Sequence, residues 1–476
     1  MIQGLASDSR RCAPGVCFFA WPGERGDGRS HIAQAIERGA AAVVWEAEGF
    51  SWRAEWRAPN RAVSGLRERA GFLAHEFHGR PSDALWVCGV TGTNGKTSCS
   101  QWLAATLGAK TGIVGTLGAG FPGALIEAAN TTPDALEIHS LLAGFRDQGA
   151  TCAVMEVSSH GLVQGRVNGV AFDCALFTNL SHDHLDYHGS MQAYAEAKAR
   201  LFEAPGLAAA VLNLDDVIGV QLAQRLAARG VRTIGYALSE RAIAPGGVSE
   251  FIAAREIRVA GEASEAVIAS TWGEAQARIN QLGRFNVANA FGVLGCLVAY
   301  GVPLRDAVGR LAALPAVPGR MQRLGGDGRP LVVVDYAHTP DALEKVLQAL
   351  WPVAVARGGR LAAVFGAGGD RDRSKRPLMG AAAARYVDRV ILTSDNPRGE
   401  DPLAIIAEIR AGVRGEPLVE ADRGRAIERA VHEAAAGDVV LLAGKGHETW
   451  QEIAGERLPF SDADAARAAL ERWRAR

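Results

Sequence analysis

The stretch Gly92-Thr93-Asn94-Gly95-Lys96-Thr97-Ser98 carries the residue types that hold a polyphosphate. An apolar run, Leu85 to Val90, leads into it, and a segment of good helix formers, Cys99 to Leu107, leads out. Strand, glycine loop, Lys-Thr and helix is a layout in which backbone N–H groups turn inward around an anion. The positive end of the helix dipole adds to the attraction. In that layout Lys96 reaches the β- and γ-phosphates of ATP and the Thr97 hydroxyl holds Mg²⁺. Glu156 is a second candidate, at the end of the apolar run Ala153-Val154-Met155. A carboxylate there is expensive to bury without a partner, and strand ends beside a nucleotide cleft suit a metal-holding group. Glu156 is therefore assigned to Mg²⁺ beside the phosphates. His182-Asp183-His184-Leu185-Asp186-Tyr187-His188 is dense in metal-capable groups. His184 and His188 have the helical spacing of a zinc pair, but Leu185, not Glu, follows the first. Finally, Tyr194, Lys198 and Phe202 recur at i, i+4, i+8 and share one helix face. Lys198 thus lies with the aromatics, where partial burial favours a neutral amine able to take up CO₂.

These side chains need sheets to position them. Residues 1–85 read as a small α/β unit with strands at Val16–Trp21 and Ala41–Val44 and a helix from His31 to Gly39. Arg80-Pro81-Ser82-Asp83 reads as a linker. A central unit, 86–318, follows, with Ser190 to Phe202 as a helix and residues 208 to 300 alternating strands and helices. The prolines of Pro315-Ala316-Val317-Pro318 interrupt helix and sheet alike and mark a second linker. The third unit, 319–476, has apolar strands at Leu331–Asp335, Leu361–Phe365, Val390–Thr393 and Val439–Ala443 with helical segments between them. That alternation predicts a doubly wound, Rossmann-like sheet. The expected fold is α/β in three domains, with a mostly parallel central sheet around the phosphate loop.

Length agrees, since 476 residues is about three domains of ~150 residues each. A formal net charge of −1 provides no general affinity for nucleic acid or an anionic membrane. Seven scattered cysteines without a C-x-x-C pair suggest reduced thiols in a cytoplasm rather than a disulfide framework. The N-terminal residues have neither the basic head nor the apolar core of a signal peptide, and there is no uninterrupted apolar run of membrane-spanning length.

The loop departs from the strict phosphate-loop pattern: Val90 stands where the outer glycine falls. The shorter form, Thr91-Gly92-Thr93-Asn94-Gly95-Lys96-Thr97, resembles the ATP loop of the Mur ligases, which build the stem peptide of peptidoglycan. Folylpolyglutamate synthetases have a similar loop, and a phosphate-loop ATPase driving conformational work is a reading of another class. Ser7-Asp8-Ser9-Arg10, Asp27-Gly28-Arg29 and Ile36 to Ala42 resemble the substrate-binding N-terminal domain of the Mur ligases, which favours that family.

The resemblance implies further roles. Ser7, Ser9 and the Glu24-Arg25-Gly26 turn would hold the UDP part of the substrate, the last with residues that depart from the family's. Asn130, Thr131, Thr132, Ser158, Gln164 and Arg166 would meet its muramoyl-peptide part. His184 would hold a second Mg²⁺, and Lys198 matches the lysine that is carbamylated in the family, an anion able to hold metal. Lys96, Glu156, His184 and Lys198 would be the catalytic set, with Thr97, Glu156, His184 and Lys198 toward metal. Asn286 would contact the base of ATP, Arg320 its phosphates and Asp335 its ribose.

Polar clusters at strand ends in the third unit choose the incoming amino acid. They are Asp370-Arg371-Asp372-Arg373, Ser394-Asp395-Asn396-Pro397-Arg398 and Gly444-Lys445-Gly446-His447-Glu448, with Asp335 to His338 beside them. Arg371 and Arg398 offer forks suited to carboxylates, and Glu448 can receive an ammonium. Asp395-Asn396-Pro397-Arg398 is similar to the motif of the Mur ligases that add meso-diaminopimelate. A site built to bond a group rejects an analogue lacking it by about 10⁴-fold, enough for Arg398 to exclude lysine. The resemblance implies an ATP- and Mg²⁺-dependent ligase acting through an acyl phosphate. Its partners would be two small molecules, UDP-N-acetylmuramoyl-L-alanyl-D-glutamate and meso-diaminopimelate, with no nucleic acid or membrane, and it would work as a monomer.

Overall fold

Runs of apolar and β-branched residues become the strands of three principal sheets. The computed structural model of the chain describes residues 1–24, 26–128, 130–243, 247–260 and 263–475. Arg25, in the expected Glu24-Arg25-Gly26 turn, lies outside the described residues. The first sheet has four parallel strands in chain order: Gly4–Ala6, Val16–Ala20, Ala42–Glu46 and Asn60–Val63. The expected helix is shorter than predicted: a 3₁₀ turn over Gly28–His31 passes into an α-helix over Ile32–Glu37. Asp27 caps the turn by accepting from the Arg29 N–H, and Asp next to Gly favours that local bond over helix.

Among the described residues the central sheet has 11 strands. Its inner strands are parallel and include, side by side, Cys174–Phe177, Trp86–Thr91, Cys152–Glu156 and Thr111–Gly115. The loop strand Trp86–Thr91 is central and buried on both faces, which explains its unbroken apolar run. Its glycine loop leads into a helix over Lys96–Leu107, which begins three residues before the expected Cys99. Lys96 and Thr97 are therefore in its first turn. The helix expected from Ser190 to Phe202 is α-helical over Met191–Ala199, with Ser190 as its cap, and tightens to a 3₁₀ turn over Arg200–Glu203.

One expectation is corrected. Residues 208 to 300 do not simply alternate. Glu250–Ala260, Ala263–Ser270 and Gly273–Ile279 are consecutive antiparallel strands with no helix between them. The tight connection Thr271-Trp272 leaves room for a hairpin but not for a parallel crossover. After them Arg284–Tyr300 is a long helix buried nearly all round. Its Cys296 sulfur lies 4.0 Å from that of Cys88 and 4.0 Å from that of Cys174, two residues directly opposite each other on adjacent strands. All three thiols belong to the main apolar cluster of this unit.

The third sheet has six strands, with Leu331–Asp335, Val439–Ala443, Leu361–Phe365 and Arg389–Leu392 as neighbouring parallel strands. Apolar clusters cover both faces, as predicted for a doubly wound sheet. A separate hairpin, Trp450–Ile453 with Glu456–Pro459, lies against the Arg398 loop through a backbone bridge to Ile453. Among the described residues no helix is long and apolar enough to cross a membrane.

Candidate active site

The carboxyl ends of the central strands carry the predicted phosphate site. Two glycines are forced there by geometry. A Cβ on Gly92 would lie 1.9 Å from Thr178 Oγ1, and one on Gly95 would lie 2.4 Å from Asn289 Oδ1, while both backbones adopt positive φ. The loop is held open from the side: Asn94 N–H donates to Asn179 Oδ1 at 3.1 Å, Asn94 Nδ2 to Ser181 Oγ at 3.3 Å, and the Ser181 N–H to Thr93 Oγ1 at 3.0 Å. Ser98, in the first turn of the helix, lines the adjoining cavity of about 590 Å³.

Glu156 is fully buried at the end of its strand and is satisfied four ways. Thr97 Oγ1 donates at 3.0 Å, Thr116 Oγ1 at 3.0 Å, the Thr116 N–H at 2.9 Å, and Ser100 Oγ at 3.5 Å. The carboxylate and the Thr97 hydroxyl are thus adjacent oxygens, a hard donor set of the kind Mg²⁺ takes. Lys96 Nζ donates to the carbonyls of Gly92 at 2.9 Å and Thr93 at 3.0 Å. Lys198 is 1% exposed, with Nζ 4.4 Å from the Tyr194 ring centroid and 2.8 Å from the Gly92 carbonyl. Burial, reinforced by the Lys96 ammonium, pulls Lys198 well below the usual lysine range, against the opposing pull of Asp183. His184 has a left-handed backbone and lies 3.4 Å from Asp183 Oδ2, with its ring 4.9 Å from that of His160. Burial moves its imidazole down to about 4, against the pull of Asp183.

The third unit closes this site. Arg320 Nη2 donates to Thr97 Oγ1 at 3.1 Å and its guanidinium stacks 4.5 Å from the Tyr336 ring centroid. Asp335, at its strand end, accepts from the N–H groups of Met321 at 2.7 Å and Ala337 at 2.8 Å. Asn286, Phe285 and Asn289 from the central unit line the same cavity as Arg320, Asp335, Lys345 and Ala349 from the third. Asn286 is already engaged: Nδ2 donates to the Leu282 carbonyl and Oδ1 accepts from Asn289 Nδ2.

On the other side of the loop, the first and central units join through hydrogen bonds. Ser7 Oγ donates to Asp134 Oδ2 at 2.7 Å. Gln164 Nε2 donates to Glu24 Oε1 at 2.7 Å, and Tyr187 OH reaches the same oxygen at 2.5 Å. Arg166 continues the chain to Gln164 Oε1 at 2.8 Å and the Thr132 carbonyl at 2.7 Å. Thr132 Oγ1 donates to the Glu156 carbonyl, and Thr131 Oγ1 lies 3.1 Å from Thr116 Oγ1. This set therefore abuts the Glu156 strand end. Ser9 and Ser158 do not join it by side chain: Ser9 Oγ is buried against Gln34, and Ser158 Oγ caps a short helix at the Gly161 N–H. Asn130 is exposed.

The acceptor basin lies at the carboxyl ends of the third sheet. Arg398 Nη1 donates to the Gly369 carbonyl at 2.7 Å, with Nε 3.5 Å from Glu452 Oε2. A Cβ on Gly368 would come within 2.9 Å of Arg398 Nη1 and 3.7 Å of Arg371 Cγ, so the two arginines flank one glycine. Asp395, Asn396 and Pro397 are buried. Gly444 approaches so closely that its Cβ would lie 2.2 Å from Asp395 Oδ2. Asn396 Nδ2 donates to Glu448 Oε2 at 2.9 Å.

Comparison with known proteins decides the family. The chain matches the Mur ligase family catalytic domain over residues 1–78, the Mur ligase middle domain over 90–297, and the Mur ligase glutamate ligase domain over 319–446. The chain belongs to the Mur ligase family. It is 51% identical to the UDP-N-acetylmuramoyl-L-alanyl-D-glutamate--2,6-diaminopimelate ligase of Chromobacterium violaceum, over 99% of this chain and 95% of that protein. It is 51% identical to the ligase of the same name from Pseudomonas aeruginosa, over 99% and 96%. A solved structure of a ligase with this name is similar with a TM-score of 0.68 at 38% identity, covering 99% of this chain and 95% of that one.

In this Mur ligase several residues at the unit junction escape sequence reasoning. Asp183 faces the charges of Lys96 and His184 of the central unit and of His338 and Lys375 of the third; burial pushes its carboxyl up, but these cations together hold it below the usual carboxylate range. Lys375 is drawn below the usual lysine range by burial, against the pull of Asp183 and Asp395. Tyr187 ties the first unit to the second. Asp183 and Tyr187 stood inside a stretch already singled out. Lys375, one of several cations in a basic loop, carried no separate signal.

Proposed function

We propose that this chain is the ATP-dependent ligase that joins meso-diaminopimelate to UDP-N-acetylmuramoyl-L-alanyl-D-glutamate in peptidoglycan precursor synthesis. One observation above all supports the reading: 51% identity over 99% of the chain with ligases of that name, in a chain whose third sheet ends in Arg371, Glu448 and the Asp395-Asn396-Pro397-Arg398 loop.

Residues 1–85 hold the UDP end of the substrate, 86–318 the nucleotide and 319–476 the amino acid. Ser7 and Ser9 belong with the UDP end, and Asn130, Thr131, Thr132, Gln164 and Arg166 lie along the path of the muramoyl dipeptide toward Glu156, with Ser158 joining it through the helix it caps. The cavity shared by Asn286, Arg320 and Asp335 takes the nucleoside, and the loop Gly92 to Ser98 takes its phosphates. The buried oxygens of Glu156 and Thr97 suit Mg²⁺ by donor type, as would those of a carbamylated Lys198, and His184 would add a nitrogen ligand by the family resemblance. When bound, the metal supplies charge neutralisation at the transferring phosphoryl group. Lys96 adds a fixed cation beside it, and Arg320 orients the same end of the loop across the unit junction. The substrate carboxylate takes the phosphoryl group, forming an acyl phosphate and releasing ADP. Arg371, Arg398, Asp395, Asn396, Pro397, Gly444 and Glu448 hold diaminopimelate so that its amine attacks the acyl carbon and phosphate leaves. Seating of the third unit on the second keeps water from the acyl phosphate. The chemistry needs one chain only.

The test is phosphate release with an amino-acid panel of diaminopimelate, L-lysine, L-ornithine and glutamate. Release is expected only with both the UDP-linked dipeptide and diaminopimelate. Comparable ATP turnover with neither present would overturn the reading in favour of an ATPase.

A further inference from the structure

Lys445 is fully buried beneath the acceptor basin, yet its ammonium is not idle. Nζ lies 2.8 Å from Glu448 Oε2 and 3.1 Å from Asn396 Oδ1, and 5.5 Å from the Trp450 ring centroid. Asn396 Oδ1 also accepts from the Glu452 N–H at 3.0 Å. Two donors on Oδ1 fix the amide orientation, because the other face of the group has only N–H to offer. Asn396 Nδ2 is thereby turned toward Glu448 Oε2. That oxygen carries both donors, and Oε1 receives no hydrogen bond among the described residues. Besides Lys445 on its own loop, Arg423 on the helix Arg423–His432 and Tyr336 beyond Leu331–Asp335 interact with Glu448. Arg423 is already committed to Asp462 and to the carbonyls of Ser394 and Ala443. Lys445 is the cation in hydrogen-bond contact with Glu448.

We propose that Lys445 is a positioning residue for the incoming amino acid: it locks the Asn396 amide and holds Glu448 by one oxygen, so that the other is presented to a substrate ammonium. The proposal rests on reading the basin as the diaminopimelate site. Lysine is needed because a side chain without the ammonium releases both Asn396 Oδ1 and Glu448 Oε2, and the carboxylate is then free to turn away from the substrate.

The experiment is steady-state kinetics on full-length Lys445→Met, with Lys445→Gln as a second variant that keeps a donor in the slot without the charge. The expected result is a KM for diaminopimelate raised on the order of ten- to a hundred-fold, with the KM for ATP unchanged. The kcat at saturating diaminopimelate stays close to that of the wild type, and adding Glu448→Gln to either variant raises KM little further, because the two residues act as one unit. A purely structural lysine would instead lower kcat and raise the KM for ATP as well. If Lys445→Met does not fold, Lys445→Gln carries the test. A wild type that uses diaminopimelate, with variants whose KM for it is unchanged or whose kcat and KM for ATP suffer equally, overturns the positioning role alone. A wild type that does not use diaminopimelate overturns the functional reading beneath it.

Discussion

Lys96 and Lys198 donate to the same oxygen, the carbonyl of Gly92, at 2.9 Å and 2.8 Å. Only one of the two belongs to the phosphate loop, and burial with the Lys96 charge beside it draws Lys198 toward the neutral amine, the form that takes up CO₂. A carbamate there would face the Lys96 ammonium as an anion. Lys198→Ala is therefore expected to cut kcat on the order of 10²-fold or more while leaving the KM for ATP nearly unchanged. A small carboxylate such as formate or acetate should restore part of the loss. Steady-state phosphate release with and without the added carboxylate checks it. No restoration, together with a raised KM for ATP, would assign Lys198 to nucleotide binding instead.

Arg398 is anchored by Gly369 and Glu452 without being used up by either, since one bond is to a carbonyl and the other contact is 3.5 Å long. Arg398→Ala is expected to raise the KM for diaminopimelate on the order of 10²-fold or more. The KM for ATP should not change. An equal loss for both substrates, read from initial rates, would show that the loop rather than the guanidinium matters.

Arg423 and Asp462 form a fully buried ion pair, with two contacts of 2.7 Å between them. The same guanidinium holds the carbonyls of Ser394 and Ala443, the residues next to Asp395 and Gly444. Asp462→Asn leaves the buried cation without a counter-charge, at a cost of about 3–5 kcal/mol. Differential scanning calorimetry should show the transition of the third unit moving several degrees down, separately from the rest. A Leu-Leu replacement of both residues should recover most of the stability but not the acceptor affinity.

His139 predicts the acid limb of stability. It is fully buried, with Nε2 3.0 Å from the Asn168 carbonyl and Nδ1 without a partner. Burial moves its imidazole down to about 4, against the pull of that carbonyl. Between the unfolded value of about 6.5 and the folded value, the unfolded chain binds the extra proton. This contribution is complete above about pH 6.5 and is lost as pH falls toward the folded value. Urea titrations at stepped pH should show the slope, and His139→Gln should reduce it by one proton's share, leaving the part due to His184, His188 and His447, whose imidazoles burial also moves down to about 4.

Much of the fold is legible because the strands are buried on both faces. Leu331–Asp335, Leu361–Phe365 and Val439–Ala443 are found at their expected residues. The meander over 250–279 is not legible, since its strands alternate apolar and polar residues with too few turn signals to separate hairpin from crossover. At the site, Thr97 and Glu156 are 3.0 Å apart although 59 residues separate them, and their residue types at a loop and a strand end were enough to pair them. Ser9 and Ser158 illustrate the opposite: hydroxyls near a cleft are as useful to Gln34 or a helix end as to a ligand. Lys445 could not be singled out, because burial beneath a basin is a property of packed loops and not of a lysine's neighbours in sequence, and Lys375, at the start of the helix Lys375–Tyr386, owes its place to the same kind of packing across units.

The three thiols behind the phosphate loop have a practical meaning. All seven cysteines are buried, so a sulfhydryl reagent has no ready target in the native molecule. Its rate of reaction becomes a clock for excursions of the core, and Cys88, three residues before Thr91, times the strand that carries the loop. Slower labelling of Cys88 on adding nucleotide would register, from inside the protein, how firmly the occupied loop braces the sheet behind it.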